Sequence, residues 1–159
     1  MCLVTSTFYH KKDNNRNVKC FVAKEDILVY KCLDCINGEY STPFQYMPVI
    51  FEQGKYVYNK IKMSQKIGCG IRENAIVTKG IHAYSTRGEA ISFIRCFHKS
   101  NETSMYYAVI PKGSNFYIGS HNDVVSNNLI VYREKRCFDR HYPTIIGFKQ
   151  YIDKYLKAE

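Results

Sequence analysis

Residues 80–96 read GIHAYSTRGEAISFIRC, and the reading of this stretch decides the fold. In its first part alternation puts His82 and Tyr84 on the same side of an extended segment. The period then changes. Thr86 and Glu89 have the spacing of a capping box, in which each side chain satisfies the other's backbone N–H. Ala90, Phe93, Ile94 and Phe97 recur every three or four residues and make one apolar helix face. A strand that turns directly into a helix over 86–99 is the prediction. HAY is then a strand-to-helix corner, with His82 and Tyr84 anchoring the strand by packing and one hydrogen bond each. The competing reading has His82, Tyr84 and Ser85 facing a ligand cleft. His82 has no acidic or nucleophilic partner nearby in sequence, which favours the corner.

Towards the N-terminus, AKED leads into ILVYKC, a compact β-branched run suited to a central strand. CLVTSTFYH alternates as a strand, and the polar KKDNNRN after it reads as a loop. NGEYSTPFQYMP is turn-rich, with Asn37-Gly38 and two prolines. GKYVYNKIKM alternates Tyr56, Tyr58 and Ile61 with basic residues, as a half-exposed strand would. Towards the C-terminus, MYYAVIP is a buried strand closed by Pro111. NFYIG and NLIVYRE are two more, joined by SHNDVVSN, a polar loop. His141 in RHYP is read as a turn residue. Ile145, Phe148, Ile152 and Tyr155 then fall at helical spacing, predicting a C-terminal helix near 144–157 capped by Thr144.

The expected fold is therefore α+β: one compact domain, residues 1–159, with an antiparallel or mixed sheet and these two helices. The length suits one domain, and no internal repeat or low-complexity linker divides it. No apolar run reaches the ~20 residues that span a bilayer, and the first residues lack a signal-peptide pattern. A cytoplasmic protein with no membrane partner is expected.

Seven cysteines are an odd number, and Cys32 and Cys35 form the single C-x-x-C. A structural zinc needs a second ligand pair at comparable spacing, and none follows. A redox pair wants a helix N-terminus, whereas LDCINGEY reads as strand into turn. No metal, disulfide or cofactor is expected.

The net charge of +9 is placed unevenly. Residues 1–24 carry five basic and one acidic residue, and residues 133–159 carry seven and four, so seven of the nine charges lie near the ends. Domain termini often lie close together. Lys11, Lys12, Arg16, Lys19, Arg133, Lys135, Arg136 and Arg140 would then make one basic face. Such a face attracts nucleic acid or an acidic protein surface, or simply keeps the protein soluble.

Catalytic signatures are missing: there is no P-loop, G-x-S-x-G, H-E-x-x-H or Rossmann fingerprint. GCGIRE has neither a strand before it nor a helical pattern after it. His98 and His121 lie in polar stretches and are expected to be exposed.

The order AKEDILVYK, STPFQ, GIHAYST, YYAVIPKGSNFYIG and DVVSNNLIVY resembles small uncharacterised proteins of phages and mobile elements, chiefly of Bacteroidetes. The likeness covers residues 23 to 133 and implies a compact α+β domain. The layout is also similar to the ADP-ribosyltransferase fold. That resemblance puts Lys31 where the family's arginine stands and Ser85-Thr86 after HAY, and implies an NAD site. The family's catalytic glutamate has no counterpart; the corresponding segment holds Asp123 and no glutamate.

Three functions follow. The first is a non-enzymatic accessory protein that binds and inhibits a host nuclease or RNA-guided defence complex, in the manner of anti-CRISPR proteins, through the basic face. The second is a direct nucleic-acid binder, with Tyr106, Tyr107, Phe116 and Tyr117 as stacking surfaces near Lys112. The third is an NAD-using, ADP-ribosyltransferase-like enzyme centred on His82, Tyr84 and Ser85. No catalytic residue is assigned in the first reading.

Overall fold

The computed structural model describes residues 3–4, 19–43, 47–67, 75–97 and 102–157. Along the chain the strands are β1 (Leu3–Val4), β2 (Phe21–Val22), β3 (Ile27–Ile36), β4 (Glu39–Ser41) and β5 (Pro48–Val49). They continue with β6 (Lys55–Val57), β7 (Ser64–Ile67), β8 (Ala75–Lys79) and β9 (Ile81–Tyr84). Helix α1 (Arg87–Phe97) follows, then β10 (Thr103–Ile110), β11 (Asn115–Ile118), β12 (Asp123–Ser126) and β13 (Ile130–Tyr132). The chain ends with α2 (Lys135–His141), β14 (Ile146–Gly147), α3 (Phe148–Tyr151) and a π-helical turn, Ile152–Leu156. The result is α+β and mainly β.

One large sheet runs in the order β2-β11-β12-β9-β3-β10-β13-β6, and a smaller one pairs β1-β8-β7. Among the described residues all pairings are antiparallel except β14 on β3, so the expected sheet is mixed by this one short contact. At the centre, β3 runs against the whole of β10, from Ile27↔Ile110 to Asp34↔Thr103. Alternation gives β3 an inner row of Ile27, Val29 and Leu33, all fully buried. They join Ile81, Ala83, Phe116, Val124, Leu129, Phe148 and Tyr151 in one core cluster. Strands from both halves of the sheet feed this cluster, so the sheet folds over a shared core with α3 against it. On the opposite face Ala90 and Phe93 of α1 pack on Tyr30, Cys32, Tyr84 and Met105.

The strand turns into a helix where the sequence implies. Thr86 Oγ1 accepts from the Glu89 N–H at 3.2 Å, and α1 begins at Arg87. The Tyr84 ring lies 5.3 Å from that of Phe93, anchoring strand to helix. The turn at Asn37 and Gly38 has φ of 52° and 80°, the left-handed pair that a tight hairpin between β3 and β4 requires.

Four local expectations are overturned. SHNDVVSN is a loop only at its ends, because Val124 and Val125 are fully buried and β12 sits between β11 and β9. Ser126 is tolerated there because its hydroxyl donates to the Asn128 carbonyl at 2.7 Å and accepts from the Asn128 N–H at 3.2 Å. His141 is no turn residue but the last residue of α2, a helix held down by one buried side chain, Phe138. The C-terminal helix starts at Phe148 and not at 144. Ile146 and Gly147 extend along Ile27 and Leu28 instead, leaving Thr144 exposed and Gly147 N–H bonded to Gln150 Oε1 at 3.1 Å. GKYVYNKIKM is strand only over β6; beyond it, Tyr58 and Ile61 N–H donate to Leu129 and Asn127 carbonyls. His121 is exposed as expected. His98, GCGIRE up to Glu73 and most of CLVTSTFYH lie outside the described residues. No helix of the described residues is long and apolar enough to cross a membrane.

Candidate functional site

The site begins with a pairing that stops. One edge of β3 is taken by β10; the other is shared by β14 at Ile27 and Leu28, β9 at Tyr30 and β4 from Asp34. The β3–β9 ladder consists of one pair, Tyr30↔Tyr84. The same register would set Cys32 opposite His82 next, but there the strands part.

Hydrogen-bond parity shows which groups face the gap. In an antiparallel ladder alternate residues point their backbone groups to one neighbour, then the other. The Ser85 N–H donates to the Asn122 carbonyl, so Ala83 and Ile81 bond across to β12. The backbone groups of His82 therefore face β3. Its carbonyl oxygen accepts from a side chain instead of a strand: Lys31 Nζ donates to it at 2.6 Å.

Lys31 reaches that oxygen because it occupies the inward row of β3, between Val29 and Leu33. Only 8 % of its surface is exposed. Burial pushes its pKa down to about 8. The Tyr58 ring centroid lies 6.0 Å from Nζ, within cation–π range.

Around this point opens a cavity of about 360 Å³. One wall is Lys31 and Cys32 of β3; another is Gly80, Ile81, His82 and Tyr84 on and before β9. Pro43, Met47, Pro48 and Val49, around β5, close a third side. Tyr56, Tyr58, Asn59 and Ile61 supply the fourth, with the rings of Tyr56 and Tyr58 edge to face at 4.5 Å. Phe93 of α1 completes it. Among the described residues that line it there is no Asp or Glu.

Two polar atoms of the lining are buried without a hydrogen-bond partner: Tyr58 Oη and His82 Nε2. The His82 ring bonds the Gly80 backbone, and burial, then the Lys31 charge, push its pKa down to about 4. The imidazole is thus neutral at pH 7. Burial raises the pKa of the Tyr58 and Tyr84 phenols, so both keep their protons. The cavity offers an amine, phenol protons and a neutral imidazole inside mostly apolar walls.

Of the cleft residues read from sequence, His82 and Tyr84 line the cavity while Ser85 does not. The Ser85 hydroxyl donates to the Asn122 carbonyl at 2.6 Å. Asp123 pairs with Tyr84 across β12 and β9, outside the lining. Tyr58 was legible only as a half-exposed strand residue. Lys31 was named only through the resemblance; its own signal, a lysine in the inward row of Ile27, Val29 and Leu33, went unread. The stacking residues Tyr106, Tyr107, Phe116 and Tyr117 are absorbed by packing; Phe116, for example, lies against Phe21, Phe148 and Tyr151.

Of the basic face, Lys11, Lys12 and Arg16 lie outside the described residues. Arg133, Lys135, Arg136 and Arg140 are exposed on or just before α2. Two of them meet acids of the same segment, Lys135 with Asp139 at 2.8 Å and Arg136 with Glu134 at 2.5 Å. Arg133 stacks over the Tyr40 ring at 5.9 Å. Lys19 precedes β2, which ends the strand order on one side, while β13 stands next to β6 at the other.

Cys32 and Cys35 both sit in β3, three residues apart and so on opposite faces. They cannot bridge without unfolding the strand. Cys32 Sγ is buried against the Ala90 carbonyl, and burial pushes its pKa up to about 12. Among the described residues no group of three His, Cys, Asp or Glu side chains is arranged to hold a metal ion.

Compared with known proteins, the chain matches no family model, no curated protein and no solved structure.

Proposed function

We propose that this protein works by binding, and that its functional centre is the cavity between β3 and β9, which takes a small organic ligand. The observation that carries this reading is the buried Lys31, bonded to a backbone oxygen and, among the described lining residues, facing no acid in a mostly apolar cavity. A buried cation without an acidic partner is costly, and a bound ligand offsets that cost. Tyr58 Oη and His82 Nε2 add further unmet capacity. At about 360 Å³ the cavity is near the lower end of the ~300–1,000 Å³ common for ligand pockets, so it suits a fragment-sized molecule.

The resemblance to ADP-ribosyltransferases makes NAD, entering by one end, a ligand to include in the test. With Ser85 turned to Asn122 and Asp123 outside the lining, the cavity supports binding better than transfer. Ligand-observed NMR with a collection of small acids, carbonyl compounds, sugars, nucleotides and NAD tests the reading. Ligands that compete with one another and are lost in Lys31→Met are expected. A collection with no ligand sensitive to Lys31 would overturn it.

A second reading has its own support, the four exposed cations at 133–140. It casts the protein as a phage-type accessory factor that docks on a host protein or ribonucleoprotein complex in the host cytoplasm. Its weakness is that Asp139 and Glu134 already meet two of those charges. Pull-down from host cells with and without nuclease separates protein from nucleic-acid partners.

A further inference from the structure

Lys31 is a primary amine held in place by one bond. Nζ donates to the His82 carbonyl at 2.6 Å, which fixes the direction of that N–H and leaves the rest of the nitrogen to the cavity. Its surroundings lower its affinity for a proton: the site is buried, and the described lining holds no carboxylate. With a pKa of about 8, about a tenth of the Lys31 side chains carry a free amine at pH 7. For an exposed lysine the fraction is below about one in a thousand. Tyr58 Oη and His82 Nε2, buried and unpartnered, flank the same cavity.

We propose that Lys31 is a nucleophile that captures a small aldehyde or ketone in this cavity as an imine. The proposal rests on the small-ligand reading above and names the ligand's class. The Nζ lone pair attacks the carbonyl carbon, and the C=O π pair moves to oxygen, which takes a proton. The carbinolamine then expels that oxygen as water while the C=N bond forms. Both amine protons are accounted for in the water, and no oxidant or reductant takes part. Tyr58, whose ring centroid lies 6.0 Å from Nζ, and His82, which lines the same cavity, are the groups this proposal assigns to give and take protons in the two steps. The neutral imine has no N–H; when it takes up a proton from solvent, the iminium gains one N–H, which can again donate to the His82 carbonyl. Activation of an amine by a desolvating pocket is the general route to such lysines.

Benzaldehyde, butanal and pyruvate are the probes, each added with sodium borohydride to the full chain, followed by peptide mass mapping. The expected result is reductive labelling of Lys31 at least tenfold faster than of the exposed Lys112 and Lys149, with a rate that climbs towards pH 8 and levels off above it. Lys31→Met should lose the fast phase. Tyr58→Phe should slow it at least tenfold with little change in melting temperature. Labelling of Lys31 no faster than the exposed lysines, with every probe, would overturn the imine. If ligands still bind non-covalently and depend on Lys31, the imine alone fails. If neither labelling nor binding depends on Lys31, both readings fall.

Discussion

The Nζ of Lys31 donates to the backbone oxygen of His82 at the point where β3 and β9 part, so a side chain substitutes for a strand. Burying an ammonium there is costly, and its pKa falls from the ordinary 10.5 to about 8. Between these values the unfolded chain binds more protons than the folded one. Stability therefore rises as pH climbs from about 8 towards 10.5, and below 8 the full penalty of about 3 kcal/mol applies. Lys31→Met removes the penalty but leaves the His82 oxygen without its donor, a loss of about 1–2 kcal/mol. Urea melts should show the variant about 1–2 kcal/mol more stable at pH 7, an advantage that disappears by pH 10. A difference independent of pH would mean that Lys31 is not a buried charge.

His82 sets the acid side of the profile. Its pKa of about 4, against an ordinary 6.5, means that the unfolded chain takes up the proton first. Its contribution is complete above about 6.5 and lost as pH falls towards 4, by about 3 kcal/mol. His82→Gln should flatten this limb. Because the Lys31 charge is the second cause of the shift, Lys31→Met should move the His82 titration upward, measurable by NMR.

Gly80 cannot be replaced. A Cβ there would lie 2.2 Å from Val125 Cγ1, in the packed core of β12, and its φ of +151° is one that side-chain-bearing residues rarely adopt. Gly80→Ala should cost about 3 kcal/mol or more, a melting-temperature drop of roughly 10 °C for a chain of this size. Gly38→Ala is the control: its φ of +80° is also left-handed, but nothing lies within 4 Å. It should cost only about 1–2 kcal/mol. Equal losses would show that space around Gly80 does not matter.

These positions also show where sequence reading succeeds. Helix α1 was legible because two independent signals agree, the Thr86/Glu89 cap spacing and the apolar period from Ala90. Strands β3 and β10 announce themselves by long β-branched or aromatic runs. Strand β12 does not, since burial of just Val124 and Val125 inside a polar stretch comes from its place in the sheet. Helix α2 buries Phe138 alone and has no side-chain cap, so it has almost no periodic signal. Ile145 and Ile146 fit a helix or an extended segment equally well, and pairing with Ile27 decides for the latter. The cavity was half legible. Alternation puts His82 and Tyr84 together, but only the early end of the β3–β9 pairing makes a gap beside them.

Thiol reactivity should follow burial. Cys96 is exposed on α1, whereas Cys32 is buried with its pKa pushed up to about 12. Iodoacetamide footprinting by mass spectrometry should modify Cys96 within minutes and Cys32 only on unfolding, because the thiolate is the reactive form. Mild oxidation should give no Cys32–Cys35 bridge. A native-state bridge between them would contradict the strand geometry of β3.

The α2 surface and the cavity predict opposite responses to the same pair of variants. Reversing Arg133, Lys135, Arg136 and Arg140 to glutamate changes exposed side chains, and the two ion pairs among them, Lys135 with Asp139 and Arg136 with Glu134, are screened by solvent. The fold should survive with a modest drop in melting temperature. If these cations guide a polyanionic partner, the native protein should bind a labelled single-stranded RNA more weakly at 200 mM than at 50 mM salt. The reversed protein should then lose most of that binding, while Lys31→Met, altered only inside the cavity, should bind as the native protein does. Small-ligand binding should show the reverse pattern, unchanged in the charge-reversed protein and lost in Lys31→Met. RNA binding that survives the reversal would remove the α2 cations from the candidate interface and leave the cavity as the site to pursue.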